Sequence, residues 1–96
     1  MPRGAPRLRT PDNKQNLVGA RVKARRQALN VTQDALCASL AKITLGRWNP
    51  SIFDVYRIET GRRIVSDIEL LALSIALRTD IYDLLGTDRS ALVLPG

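Results

Sequence analysis

Residues 32–61 read TQDALCASLAKITLGRWNPSIFDVYRIETG, and this stretch decides the fold. Thr32 is an N-cap residue type. Leu36, Cys37, Leu40 and Ile43 follow it at i, i+1, i+4 and i+7, the spacing of one helical face. Gly46 supplies a stop, so the pattern predicts a helix over 33–45. Arg47-Trp48-Asn49-Pro50 reads as a turn of about five residues counted from Gly46. Either Asn49 or Ser51 can cap the next helix, with Pro50 suited to a first helical position, and Ser51 and Asp54 have the spacing of a capping box, with Asp in the usual Glu place. A further helix over 51–60 follows, ended by Gly61.

Outward from this pair the period stays helical. Val18, Val22 and Leu29 give an apolar stripe to a first helix over 17–29, and Asn30 suits the left-handed turn after it. Ser66-Asp67-Ile68-Glu69 is a regular capping box, and Ile68, Leu71, Ala72, Ile75 and Ala76 then form the expected core face of a fourth helix. Asp80 caps a short fifth helix whose Ile81, Leu84 and Leu85 are expected to point inward. Short helices joined by short connections make an all-α domain over residues 17–86. Residues 1–16 hold three prolines and four basic residues and little that is apolar, so they read as a flexible basic arm. Residues 87–96 form a C-terminal tail carrying the run Leu92-Val93-Leu94.

Composition narrows the chemistry. The chain has 96 residues, enough for one small domain, and a net charge of +6. Residues 1–48 carry ten basic and two acidic groups, while residues 49–96 carry five and seven. A basic excess gathered on one part of the chain points to a polyanionic partner, with a merely solubilising surface as the plainer reading. Histidine is absent and Cys37 is the one cysteine, which removes the usual general bases, disulfides and zinc sites. No metal, cofactor or catalytic activity is expected, and Cys37 reads as a helix residue turned to the core. No apolar run approaches the roughly 20 residues of a membrane helix, and no signal sequence is evident, so a soluble cytoplasmic protein is expected.

Five segments in order resemble the Cro/repressor-type (lambda-repressor-like, XRE) family of helix-turn-helix DNA-binding proteins. They are Val18-Gly19-x-Arg21-Val22-Lys23-x-x-Arg26, Val31-Thr32-Gln33-x-x-Leu36, Arg57-Ile58-Glu59-Thr60-Gly61-Arg62-Arg63, Ile68-Glu69-Leu70-Leu71-Ala72-Leu73-x-x-Ala76-Leu77 and Ile81-Tyr82-Asp83-Leu84-Leu85. The resemblance implies a five-helix lambda-repressor-like fold whose third helix enters the major groove of double-stranded DNA. It implies a transcriptional regulator, expected to be a repressor, that binds as a homodimer of a bacterium or phage. The dimer surface is expected on helix five and the Leu92-Val93-Leu94 tail. No room remains for a separate ligand-sensing domain, so control is expected through abundance or another protein.

The resemblance also assigns roles. Ser51, Ile52, Phe53, Asp54 and Arg57 occupy the base-facing positions of helix three. Arg57 suits a guanine edge, with an ion pair to Asp54 as the plainer role. Ile52 and Phe53 depart from the polar pattern of the family. They suit thymine methyls, yet Ile52 shares its spacing with Val55 and Ile58 and is expected in the core, whereas Phe53 is expected exposed. Asp54 is a cap or an acceptor for cytosine. Gln33, at the start of helix two, is expected near a phosphate, or otherwise solvated. Arg62 and Arg63 suit phosphate contacts or are plain surface cations. Arg26 is expected to pair with Glu59. Arg3, Arg7, Arg9 and Lys14 of the arm either follow the DNA or form a solvated tail. About nine residues more than in the family, near 41–49, stand between helices two and three; the extended helix two absorbs about half of them and leaves the turn of about five. Trp48 within it is expected to plug the core, with base stacking or a partner contact as alternatives. An alternative reading is a protein-interaction module, an antitoxin or adaptor, in which Phe53 and Trp48 meet a protein partner. An apolar helix-three surface continuous with the loop would favour that reading, and an isolated basic ridge would favour DNA.

Overall fold

The computed structural model describes residues 8–86 and contains α1 (Gly19–Ala28), α2 (Gln33–Ile43), α3 (Ile52–Glu59), α4 (Asp67–Ala76) and α5 (Ile81–Leu85). Each helix starts where a side chain takes up backbone N–H groups that the helix itself leaves unbonded. Asn16 Oδ1 accepts from Val18 and Gly19 at 3.1 and 2.8 Å. Thr32 Oγ1 accepts from Ala35 at 3.0 Å, and Asp80 Oδ1 from Asp83 at 2.8 Å. Ser51–Asp54 and Ser66–Glu69 form reciprocal capping boxes. A cap of this kind contributes about 1 kcal/mol. The architecture is all-helical, with no strand among the described residues.

One core joins all five helices. Val18 and Val22 beside and within α1, Leu36 and Leu40 of α2, Val55 and Ile58 of α3, Ala72, Leu73 and Leu77 of α4 and its end, and Leu84 of α5 are buried. Leu29, Cys37, Trp48 and Leu85 pack around them half-buried. Burial pushes the Cys37 thiol above its ordinary pKa, with Asp34 and Asp54 adding to the effect.

Two expectations are corrected here. Of the expected core face of α4, Ala72 is buried and Ala76 packs against the core, but Ile68, Leu71 and Ile75 do not belong to it. Ile68, Leu71 and Ile75 are 76, 50 and 53 % exposed, whereas Leu73 and Leu77 are fully buried. The segment Ile68–Leu77 is apolar on nearly every face, so periodicity could not choose between two stripes. The second concerns α2, which ends at Ile43. Thr44 Oγ1 donates back to the Leu40 carbonyl at 2.8 Å and accepts from Trp48 N at 3.0 Å. Leu45 and Gly46 follow in the left-handed region (φ 54° and 78°), so the chain turns before the glycine. The connection to α3 therefore runs over residues 44–51 instead of 46–50.

Of the segment expected to be a loose arm, Lys14, Gln15 and Asn16 are tied to the end of α3 and the turn after it. Gln15 N donates to the Gly61 carbonyl at 2.8 Å, and Gln15 Nε2 to the Arg62 carbonyl at 3.1 Å. Asn16 Nδ2 donates to the carbonyls of Ile58 and Arg63 at 3.1 and 2.8 Å. Asn16 thus caps α1 with its oxygen and grips the end of α3 with its nitrogen. Gly19 completes the clasp, since a Cβ there would overlap the Ile58 carbonyl oxygen.

Candidate nucleic-acid interface

α3 has two unlike faces. Its inner face buries Val55, Ile58 and Glu59. Its outer face exposes Ser51, Ile52, Phe53 and Tyr56, the last three at 48, 66 and 44 %. Ile52 is therefore outside the core, contrary to its expected place beside Val55 and Ile58. Pro50, just before the helix, is the buried residue at that end. Phe53 is exposed as expected. Tyr56, one turn on from Phe53, shares the outer face and was missed. Its i+3 spacing from Phe53 was the available signal.

Arg57 lies along this face. Its Nη2 donates to Asp54 Oδ1 at 2.9 Å, and its guanidinium carbon sits 5.1 Å from the centre of the Phe53 ring. Its Nε has no hydrogen-bond partner among the described residues. Asp54 also serves the cap, accepting from Ser51 N at 2.9 Å. The Ser51 amide and then the Arg57 guanidinium hold the Asp54 carboxyl below the usual carboxylate range.

The other end of α3 is anchored. Arg26 Nε and Nη2 donate to the two oxygens of Glu59 at 2.7 and 3.1 Å, and Arg26 Nη1 donates to the Val31 carbonyl at 2.9 Å. This is the expected pair, and its carboxylate side chain is only 2 % exposed. Hydrogen bonding to Glu59 raises the Arg26 pKa further. Gln33 Nε2 donates to the same carboxylate at 3.0 Å. The Gln33 side chain is thus half-buried and turned toward Glu59, at the junction of α1, α2 and α3.

The two arginines after Gly61 differ. Arg62 is exposed, and its side chain makes no hydrogen bond to the described residues. Arg63 Nη1 and Nη2 donate to the two oxygens of Glu69 at 2.9 and 2.8 Å, and the guanidinium carbon stands 5.8 Å from the Trp48 ring centre. The Glu69 hydrogen bonds raise the Arg63 pKa, and Arg63 lowers that of Glu69. Trp48 is half-buried and packs against the core, so the long turn is fastened to the start of α4. Lys14 reaches the end of α3, where its Nζ donates to the Thr60 carbonyl at 3.3 Å. Arg9 is exposed and donates to the Asn13 carbonyl at 3.4 Å. Arg3, Arg7 and the Leu92-Val93-Leu94 run lie outside the described residues. Among the described residues no cluster of His, Cys, Asp or Glu is placed to hold a metal ion, and no helix is long and apolar enough to cross a membrane.

No protein-family model and no curated protein matches the chain. Among solved structures it is similar to the apo form of the competence regulator ComR from Streptococcus vestibularis, with a TM-score of 0.61 and 25 % identity. The match covers 78 % of this chain and 23 % of ComR, so the chain spans under a quarter of that regulator's length. The shared part is all-helical, and the likeness indicates a helix-turn-helix-type fold of the kind a regulator carries.

Proposed function

We propose that the chain is a Cro/repressor-type regulator of the XRE kind that binds double-stranded DNA specifically, as a dimer on a two-fold site, and represses transcription in the cytoplasm. The observation that carries this reading is the split character of α3. Its inner face and C-terminal end are fixed by burial and by Arg26–Glu59, while Ile52, Phe53, Tyr56 and Arg57 are presented outward. A B-DNA major groove admits one such helix. In the proposed complex Arg57 leaves Asp54 and spans guanine O6 and N7. Ile52 and Phe53 lie against thymine methyls, and Ser51 meets a base edge or phosphate. Arg62, Lys14 and Arg9 neutralise phosphates. Arg63 instead holds Glu69 and Trp48, and so fixes the turn.

The test is selection of bound duplexes from a random pool, then competition between the selected site and random duplex at about 0.15 M salt, where specific binding is typically at least about 1,000-fold tighter. Equal affinity for the two overturns the reading. A second reading, a protein-interaction module of antitoxin or adaptor type, is favoured by one observation. The outer face of α3 is more apolar than a basic reading head requires, with Ile52, Phe53 and Tyr56 all exposed. In that case no duplex is selected, and Phe53→Ala disrupts a protein complex.

A further inference from the structure

The large residues of the stripe that sequence periodicity assigned to the core of α4 lie on the outside. Ile68, Leu71 and Ile75 stand at i, i+3 and i+7 along one exposed face, and no described residue covers them. Leu45, 86 % exposed, adjoins Ile68 in a shallow groove floored by Trp48 and Ala72. Contiguous apolar surface of this kind on a small domain marks a contact site. The ends of the stripe are charged with opposite sign. Asp67 is exposed at its start and makes no ion pair among the described residues. At its far end Arg78 is exposed, and Arg25 donates to the carbonyls of Leu77 and Arg78 at 2.8 and 3.0 Å. The acidic groups near that end are engaged, since Asp80 caps α5 and Asp83 accepts from Thr79 Oγ1 at 3.0 Å.

We propose that this face of α4 joins two copies of the chain, with the two α4 helices antiparallel across a two-fold axis. In that pairing Ile68 meets Ile75 of the second copy and Leu71 meets Leu71. Asp67 approaches Arg78 at both ends, and the helix dipoles oppose. A parallel pairing would bring Asp67 against Asp67. A polyanion does not suit a stripe that is aliphatic and acidic at one end. The stripe is three side chains on a helix of 10 residues, and a standard interface takes roughly 800 Å² per partner, so a dimer that is weak in isolation is expected. The inference extends the two-fold binding mode proposed above and places its contact on α4 instead of helix five. Its test contains no DNA, so its failure leaves the reading of α3 standing.

Sedimentation velocity on the full chain, from micromolar to millimolar concentration, reads the association directly. The wild type shifts from monomer to dimer as concentration rises. Leu71→Glu keeps the helical circular dichroism and abolishes the shift. Asp67→Arg weakens association about tenfold or more by setting like charges together, and adding Arg78→Asp restores it to about the wild-type value. A wild type that stays monomeric throughout overturns the proposal, as does a dimer insensitive to Leu71→Glu or a charge swap without rescue. A chain that dimerises only after Leu92→Asp also overturns it, because the stripe would then be covered by the chain's own tail.

Discussion

The two ends of α3 are held by ion pairs of opposite design. Glu59 at the C-terminal end is buried and receives Arg26 in a two-point grip, with Gln33 as a third donor. Asp54 at the N-terminal end is partly exposed and gives Arg57 a single contact, with side chains 30 and 40 % exposed. A buried pair is costly to break from one side, about 3–5 kcal/mol, whereas an exposed pair contributes about 0–1 kcal/mol. One end is therefore fixed as scaffold. At the other end Arg57 can change partners at little cost, against the roughly 1–3 kcal/mol of discrimination that a two-point guanine contact provides.

The largest effect is expected at the fixed end. Glu59→Ala leaves Arg26 uncompensated and should lower unfolding stability by about 3–5 kcal/mol, measured by chemical denaturation. Loss of less than about 1 kcal/mol would show that the pair is not the anchor. Gly19→Ala drives a Cβ into the Ile58 carbonyl oxygen and must push α1 from α3. A cost of about 1–3 kcal/mol is expected by the same measurement, and an unchanged midpoint would deny the clasp. At the exposed end, Arg57→Ala should leave the melting curve nearly unchanged while costing about 1–3 kcal/mol of discrimination between the selected and random duplexes. Arg62→Ala should weaken all duplexes alike and reduce the salt slope by about 1. Comparable loss of discrimination in both variants would break the distinction between the two roles.

The smallest effect is expected with pH. The Asp54 and Glu69 carboxyls titrate below their ordinary values in the folded chain. Their stabilisation is therefore complete above the unfolded carboxylate range, about pH 4, and is lost as pH falls through the lower folded values. Asp54→Asn should flatten the acid limb of stability against pH. An unchanged limb would mean that the cap does not depend on the charge.

The sequence made the helix starts legible because caps are local chemistry. Thr32, Ser51, Ser66 and Asp80 each start the helix that their spacing foretold. Arg26–Glu59 was legible only through the family resemblance, since 33 residues separate the partners. Three features were hidden. Ile68–Leu77 carries apolar residues on nearly all faces, so its period admits two phases, and the expected one shares Ala72 and Ala76 with the core but not Ile68, Leu71 and Ile75. Lys14, Gln15 and Asn16 look like part of a free arm by composition, because their anchors are polar side chains and backbone groups that hydropathy does not register. The division of labour between Arg62 and Arg63 depends on where Glu69 stands, which only the folded chain fixes. In the candidate site, Phe53 and Arg57 were legible only through the family resemblance, whereas the outward turn of Ile52 depended on how the chain enters α3 after Pro50.

In the proposed function the outer face of α3 contacts duplex DNA. Backbone and side-chain NMR shifts of the chain, followed as the selected duplex is added, test it most directly. The largest changes are expected at Ile52, Phe53, Tyr56 and Arg57, with smaller ones at Arg62 and Lys14 and little at Leu71 and Ile75 of the same protomer beyond those of dimer formation. Saturating changes confined to α4 or α5, with α3 silent, would contradict it.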